Sequence, residues 1–261
     1  MPNIVVLIKQ VPDTWSERKL TDGDYTLDRE AADAVLDEIN ERAVEEALLI
    51  KEAQGGEVTV LTAGPDRATD AIRKALSMGA DKAVHVNDPA VHGSDTIQTA
   101  WVLAGAIGQI EGVELVIAGN EATDGRSGAV PAIIAEYLGI PQLTHLRKLT
   151  LEGDKLTGER ETDEGIFHLE ATLPAIVSVT EKINEPRFPS FKGIMAAKKK
   201  EVTTFTLADL GIDPETVGVA NAGTSVTAST PKPARTAGEK AADEGDGGDK
   251  VAQYLISQKI I

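Results

Sequence analysis

The sequence contains no cysteine. Disulfide bonds, thiolate metal sites, cysteine-ligated iron–sulfur clusters and cysteine nucleophiles are therefore excluded. The absence is consistent with a reducing compartment. Because the amino terminus, MPNIVVLIKQVPD, reads directly as a strand rather than as a signal segment, we expect a cytoplasmic protein.

Basic and aromatic residues are also scarce. The chain has 26 lysines and arginines against 42 acidic residues, a formal net charge of -16, and only 3% aromatic residues. Such a surface repels nucleic acids and anionic membranes, so we expect no nucleic-acid partner and no stable membrane insertion. Any anionic ligand must be held by local features.

A recognisable catalytic constellation is missing as well. The four histidines, His85, His92, His145 and His168, show no metal-ligand spacing. Two of them, His85 and His168, fall in strand patterns where a structural role is expected. No nucleophile is paired with a plausible base. We therefore predict no catalytic and no metal-binding residue, which favours a binding or carrier protein over an enzyme.

The sequence does contain enough apolar residues, 41% of 261, for a sizeable core. Its first 140 residues alternate short β-rich runs with helical patterns, which predicts four strand–helix steps and a mostly parallel sheet. We expect Asn40 to cap the first of these helices. On the apolar face of the third, Trp101 is expected to lie in the core.

The sequence pattern changes from Leu146 onwards. Alternating strands separated by turn signals predict an antiparallel extension of the sheet. Beyond about Gly211 the chain is rich in Gly, Ala, Thr, Pro and acidic residues, and it ends in the apolar segment VAQYLISQKII. Such a tail is either disordered or laid as an arm on a partner, and its apolar end favours the arm.

The loop GNEATDGRSGAVP, residues 119–131, follows a predicted strand and opens a predicted helix. Its glycines permit a close backbone approach, and N–H groups at a helix start bind anions, with Arg126 as a candidate counter-charge. Ligands of open α/β sheets bind at this end of the strands. A second junction of small residues, TAGP at 62–65, lies at the neighbouring crossover. On these residues alone, nucleotide binding and an ordinary strand–helix turn both remain open.

The stretch EPRFPSFKGIMAAKKK, residues 185–200, combines basic and apolar residues in an otherwise acidic chain. It holds two of the four phenylalanines, Phe188 and Phe191. Apolar residues rimmed by charge often mark a protein-binding surface. We interpret the stretch as a contact surface; the alternative is a solvated loop whose lysines offset a helix dipole.

Together these segments resemble the β subunit of electron-transfer flavoprotein over essentially the whole chain. The resemblance rests on VLIKQVPD, AVEEAL, TAGP, AIRKALSMGAD, LVIAGNEATDG, LTLEGDKLTGERETDEG, LPAIVSV, NEPRFPSFKGIMAAKKK and ARTAG. The family signature is matched by Arg160, Asp163, Glu164, Gly165, Leu169, Pro174, Ile176 and Val177. Phe167 stands where the family usually has Glu or Gln.

The resemblance implies a Rossmann-like α/β fold of the adenine nucleotide α-hydrolase-like type, with a mostly parallel sheet, an antiparallel extension and an extended carboxy-terminal arm. Residues 1–210 are expected to form the nucleotide-binding domain, including a recognition loop at 183–201. Residues 211–261 are expected to form the arm that contacts the partner subunit.

By the same resemblance the chain is an electron carrier subunit rather than an enzyme. It is expected to form a heterodimer with an α subunit, to share an FAD with that subunit and to hold a structural AMP. Electrons are expected to come from acyl-CoA dehydrogenases and related flavin dehydrogenases, as in fatty acid oxidation, and to pass towards the quinone pool.

The resemblance also assigns site residues. The expected AMP contacts are Leu7, Asn40, Ala63, Ala122, Asp124, Gly125, Arg126, Ser127, Gly128, Ala129 and Val130. Among these, backbone N–H groups of Gly125, Gly128, Ala129 and Val130 are expected at the phosphate. Thr14 and Trp15 are expected near the FAD. For partner recognition the expected residues are Phe188, Phe191, Ile194 and Met195, with Phe191 as the anchor and Ile194 and Met195 packed beneath it.

Two rival functions remain at this point. One is an electron-bifurcating version of the family that holds a second FAD, instead of AMP, in the β-subunit pocket. The other is a stand-alone ATP-binding protein of the universal-stress type, which shares the βαβ architecture but has no use for the strand extension, the recognition loop or the long arm.

Overall fold

A computed structural model describes residues 1–234, 237–238 and 240–261. The described chain divides into two compact units, Met1–Thr227 and Ala228–Ile261. Among the described residues, no helix combines the length and apolar character needed to cross a membrane.

The first unit is built on a nine-stranded sheet and a separate two-stranded pair. The strands in chain order are β1 (Asn3–Leu7), β2 (Gln10–Pro12), β3 (Ala34–Leu36), β4 (Glu57–Ala63), β5 (Lys82–Val86), β6 (Val113–Gly119), β7 (Gln142–Glu152), β8 (Lys155–Thr162), β9 (Gly165–Thr172), β10 (Ala175–Val179) and β11 (Val202–Phe205). The large sheet has the order β11-β5-β4-β1-β6-β10-β7-β8-β9, and β2 pairs with β3.

Five α-helices accompany this sheet. They are α1 (Glu38–Gln54), α2 (Thr69–Met78), α3 (Thr96–Gly108), α4 (Val130–Leu138) and α5 (Phe191–Ala197). Side chains of the central strands alternate between two cores, as the two-residue period of a strand requires. On β1, Ile4 and Val6 join the core formed with α1 and α2, whereas Val5 and Leu7 join the core formed with α3 and α4. Helices therefore cover both faces of the sheet.

The predicted fold class is confirmed. Strands β1, β4, β5, β6, β10 and β11 pair in parallel, and the hairpins β7-β8 and β8-β9 add antiparallel strands at one side. From β1 the chain moves outward to β4 and β5 and then returns to β6 on the other side of β1. The order of the strands thus reverses between β1 and β6, and open α/β sheets bind ligands at the carboxyl ends of such a pair.

Two local predictions were wrong. Helix α1 begins three residues before the predicted start, and its cap is Asp37, whose carboxylate accepts from the Ile39 and Asn40 amides. Trp101 is 45% exposed and meets Tyr137 edge to face, with ring centroids 5.0 Å apart. Residues on α3 are apolar on nearly every side, so the sequence pattern alone did not distinguish its covered face from its open one.

The chain after β11 begins as part of the first unit. Leu207, Leu210, Ile212 and Val217 are all buried in the core beside α3 and α4. The division of the chain into a nucleotide-binding domain at 1–210 and a partner arm at 211–261 stays a prediction. The second unit contains α6 (Gly247–Ser257), on which the structure describes no buried residue.

Candidate functional site

The residues expected at the adenine and ribose lie at the reversal of strand order. Leu7 ends β1, Ala63 ends β4, and Asn40 lies in the first turn of α1. The Asn40 side chain packs so closely on Gly119, the last residue of β6, that a Cβ on this glycine would lie 2.6 Å from the Asn40 amide nitrogen. The structure therefore brings together four segments that are far apart in sequence.

The loop between β6 and α4 has the backbone of a compact anion-binding turn. Arg126 and Gly128 have positive φ values of 50° and 65°. Helix α4 begins after Ala129, and no side chain in the described part of the chain caps it. The first N–H groups of a helix have no partner inside the helix. In α4 Pro131 has no N–H, so the N–H groups of Val130 and Ala132 are the ones available to a ligand. Gly125, Arg126 and Ser127 are exposed, whereas Ala122, Gly128, Ala129 and Val130 are half-buried.

A buried carboxylate joins the two sides of the candidate site, which lies between α1 and the β6–α4 loop at the carboxyl ends of β1 and β6 and is called the crevice below. Asp37 is fully buried, and one of its oxygens caps α1. Its other oxygen accepts from both the backbone N–H and the hydroxyl of Thr123, at 2.7 Å each. Asp37 thus fixes the start of α1 relative to the β6–α4 loop. No local sequence pattern indicates this contact, because the partners are 86 residues apart.

A second carboxylate, that of Asp124 in the same loop, forms ion pairs with two cations. Its side chain is 2% exposed; Lys9 donates to one oxygen at 2.8 Å and Arg29 to the other at 3.1 Å. Burial opposes ionisation, but the charges of Lys9 and Arg29 outweigh it and hold the pKa of Asp124 below its ordinary value. Asp124 therefore supports the loop from within the protein. Its carboxylate would repel a phosphate rather than bind one.

Replacing Asp124 by asparagine is expected to lower the free energy of unfolding by about 1–2 kcal/mol at neutral pH, because Lys9 and Arg29 lose their shared counter-charge. A carboxyl group with a lowered folded-state pKa stabilises the fold above its unfolded pKa, and this contribution disappears as the pH falls through the folded pKa. The difference between wild type and variant should therefore shrink below about pH 4.

Urea unfolding at a series of pH values measures this difference. Asp163→Asn, in the exposed turn between β8 and β9, removes one charge in the same way and is the matched control. An identical pH response in the two variants would contradict the role of the buried carboxylate.

The residues expected near a flavin lie on the segment after β2. Trp15 is 95% exposed, and its backbone N–H donates to Asp13. Thr14 is exposed, and its hydroxyl lies 3.5 Å from the carboxylate of Glu38, the first residue of α1. These two side chains are thus on the surface next to the crevice rather than inside it.

The recognition segment projects apolar side chains from the surface. Phe188 is 93% and Phe191 80% exposed. Ser190 caps α5 by accepting from the Gly193 amide, so Phe191 occupies the first helical position. Ile194 and Met195 are themselves about half exposed. The four side chains form an open apolar surface of this unit.

The base of this segment is tied to α1 by ion pairs and hydrogen bonds. Arg187 donates to both carboxylate oxygens of Glu45 at 2.8 and 2.9 Å, and it also pairs with Glu52. The hydrogen bonds to Glu52 and Glu45 raise the pKa of the Arg187 guanidinium. Asn184 donates to Glu46 at 3.0 Å, and burial raises the pKa of Glu46. Asn184 and Arg187, which precede the apolar surface in the chain, are therefore fixed to α1.

One lysine of the run at 198–200 departs from the alternative interpretation of this stretch. In that interpretation Lys200 would be solvated at the end of a helix. Instead, its ammonium group donates to the carbonyls of Leu76 and Ala80 at the end of α2, and burial lowers its pKa. Arg73, on α2, donates in turn to the carbonyls of Ala197 and Lys200. These bonds attach the end of α5 to α2.

Gly193→Ala is expected to detach α5 from α2, because a Cβ at this position would collide with the carbonyl oxygen of Ser77. Amide hydrogen exchange across residues 190–200 should accelerate at least about tenfold. Gly108→Ala, in α3, is the control, since a Cβ there meets no described heavy atom within 4 Å. Equal exchange in wild type and Gly193→Ala would contradict this close packing.

Known proteins of similar sequence identify the family of this chain. Residues 24–210 match the family described as electron transfer flavoprotein domain. In an alignment of 266 positions that covers all of both chains, the sequence is 76% identical to the electron transfer flavoprotein subunit beta of Mycobacterium tuberculosis. The chain belongs to the family of electron transfer flavoprotein β subunits.

More distant relatives extend the similarity. The subunit beta from Thermoanaerobacterium thermosaccharolyticum is 42% identical over 91% of each chain. The caffeyl-CoA reductase-Etf complex subunit CarD of Acetobacterium woodii is 36% identical over 98% of this chain and 97% of its own. The resemblance stated from the sequence is therefore confirmed.

The electron transfer flavoprotein signature lies in the antiparallel extension and the strand that follows it. Arg160, on β8, donates to the carbonyl and hydroxyl of Thr144 at 2.7 and 2.9 Å. Ile176 and Val177, on β10, are fully buried. Phe167, where the family usually has Glu or Gln, is 45% exposed on β9. These contacts show that part of the signature stabilises the sheet.

Proposed function

We propose that this chain is the β subunit of a heterodimeric electron transfer flavoprotein. It carries electrons from acyl-CoA dehydrogenases and related flavin dehydrogenases towards the quinone pool, with an FAD that it shares with an α subunit. The main support for the proposal is that the first unit has two features together. It has a crevice at the reversal of strand order and a recognition segment with exposed apolar side chains. When bound, FAD supplies the electron transfer; this chain supplies a wall for the flavin and the contact with the donor.

The crevice is proposed to hold AMP in a structural role. Asn120, directly after β6, has a side-chain oxygen that is buried and accepts no hydrogen bond from any described residue. A hydroxyl or amine of a bound nucleotide would satisfy it. The uncapped start of α4 fits a phosphate. Leu7, Asn40, Ala63 and Ala122 would surround the nucleoside, and the backbone of Gly128, Ala129 and Val130 would bind the phosphate. The Gly125 N–H, also expected there, donates to the Asp124 carboxylate at 2.7 Å instead.

Mass spectrometry of the small molecules released by denaturation tests this assignment. The purified complex should release one AMP and one FAD per heterodimer. Two FAD and no AMP would favour the electron-bifurcating alternative. ATP released from a stable monomer that purifies without a flavoprotein partner would favour the universal-stress type and contradict the proposal.

The tail is proposed to bind the α subunit. The ARTAG motif at 234–238 resembles the family's arm, although Arg235 and Thr236 lie outside the described residues. On α6, Val251, Tyr254 and Ile256 are all more than half exposed, which suits an apolar contact with another chain.

Deleting residues 228–261 is expected to weaken association with the α subunit at least about tenfold, because the apolar contacts of the tail are lost. The deletion keeps the first unit whole. Surface plasmon resonance measures the dissociation constant between the truncated chain and the α subunit. Lys259→Ala, which changes one exposed tail residue, is the control. An unaltered constant in the truncated chain would leave the arm without support.

A further inference from the structure

Three residues with left-handed backbone conformation lie in or beside the β6–α4 loop. Arg126 and Gly128 belong to the loop before α4, and His145, on β7, has a φ of 59°. A residue other than glycine pays roughly 1 kcal/mol or more for this conformation. At this point the pairing of β7 with β10 is also irregular, since the register shifts between Val177 and Val179. His145 is therefore the centre of a β-bulge.

The bulge directs the His145 side chain towards the β6–α4 loop. Bulges commonly re-aim a side chain next to a functional site. The backbone N–H of His145 donates to the hydroxyl of Ser178, a fully buried residue on β10, at 2.9 Å. This bond holds the bulge in place. The Nε2 atom of the ring lies 3.8 Å from the position that a Cβ on Gly128 would occupy.

The basic side chains close to the loop, either in sequence or by contact, already lie next to carboxylates. Lys9 and Arg29 both bind Asp124. Arg126 is two-thirds exposed and lies 4.0 Å from the carboxylate of Glu121. His145 is also exposed, but its ring lies beside Gly128 in the backbone turn that leads into α4. Its ring carries at least one N–H donor in either protonation state.

We propose that His145 is a phosphate-binding residue of the nucleotide site, and that its imidazole donates a hydrogen bond to the 5′-phosphate of an adenine nucleotide held at the start of α4. The inference rests on the proposed nucleotide-binding function. It adds a side chain that discriminates nucleotides from nucleosides to a loop that otherwise offers backbone N–H groups. AMP and FAD share this phosphate, so the role is the same for either occupant.

Competition binding with the full-length complex tests the inference. Bound radiolabelled AMP is displaced at equilibrium by unlabelled AMP or by adenosine, which lacks the phosphate. Wild type should prefer AMP, and His145→Asn should reduce this preference roughly tenfold while adenosine affinity stays unchanged, because one hydrogen bond to a charged group is lost. Asparagine tolerates the left-handed conformation, and His145→Gly provides a second variant with the same tolerance.

His168→Asn is the matched control, since His168 is exposed on β9, and it should keep the wild-type preference. An unchanged preference in both His145 variants, or an equal loss of AMP and adenosine affinity, would overturn the role of His145 while leaving the nucleotide site intact. A wild-type complex that binds neither compound would instead overturn the proposed nucleotide site, and the inference with it.

Discussion

Phe191→Ala is expected to slow electron transfer from an acyl-CoA dehydrogenase to the complex, with kcat/KM falling roughly thirtyfold. Truncating a buried aromatic anchor at a protein interface costs about 2 kcal/mol or more, which corresponds to this factor. The side chain is 80% exposed in the chain itself, so its removal leaves no cavity in the fold. The expected loss therefore lies in docking.

The position of Phe191 makes it a better anchor than its neighbour Phe188. Ser190 fixes the first turn of α5, and Gly193 lets this helix pack directly on the end of α2. A preorganised side chain loses less conformational entropy on binding than a mobile one. Phe188 lies before the cap, outside the helix, and we expect its alanine variant to have a smaller effect.

Stopped-flow reduction of the flavin by the dehydrogenase measures the effect. The Phe191→Ala complex should retain wild-type flavin content and heterodimer affinity. Ile97→Ala, which truncates an exposed apolar side chain on α3, is the control and should transfer electrons at the wild-type rate. Wild-type transfer by Phe191→Ala would refute the anchor role.

Asp37→Ala is expected to lower the free energy of unfolding by about 3 kcal/mol or more. Loss of a helix cap costs roughly 1 kcal/mol. In addition, the buried N–H and hydroxyl of Thr123 lose their acceptor, at roughly 1–3 kcal/mol for each unsatisfied group. If the proposed nucleotide is bound, the variant should also release it faster, because the β6–α4 loop is no longer tied to α1.

Asp95→Ala separates the two contributions to this loss. Asp95 caps α3 through the amides of Ile97 and Gln98, and its other oxygen accepts from the exposed amide of Thr224 at 3.2 Å. Water can replace this second bond at the surface, whereas it cannot reach the buried Thr123. Replacing Asp95 should cost only about 1 kcal/mol. Urea unfolding of both variants measures the difference, and equal losses would show that the bond to Thr123 contributes nothing.

Features that depend on local pattern were predictable from the sequence. Alternating strand and helix patterns predicted the parallel sheet, and turn signals predicted its antiparallel extension. The loop after β6 was recognised because glycines and a helix start lie next to each other in the chain. The exposure of Phe188 and Phe191 was predicted from their unusual charged surroundings.

The supports of the site were not predictable in this way. Asp37 and Thr123, Lys9 and Asp124, and Arg187 and Glu45 meet only because the strand order places distant segments side by side. His145 appeared isolated in sequence, and its role depends on a bulge that no local pattern announces. Trp101 was misplaced because helical periodicity does not say which neighbours cover a face.

Helix α1 contacts both the crevice and the base of the recognition segment. At one end Asp37 and Asn40 contact the loop and strand end of the crevice; further along, Glu45, Glu46 and Glu52 hold the base of the recognition segment. The seventeen residues of α1 span about 25 Å. In the proposed complex, a nucleotide in the crevice would therefore brace one end of α1, and the helix would carry this support to the recognition segment at its other end.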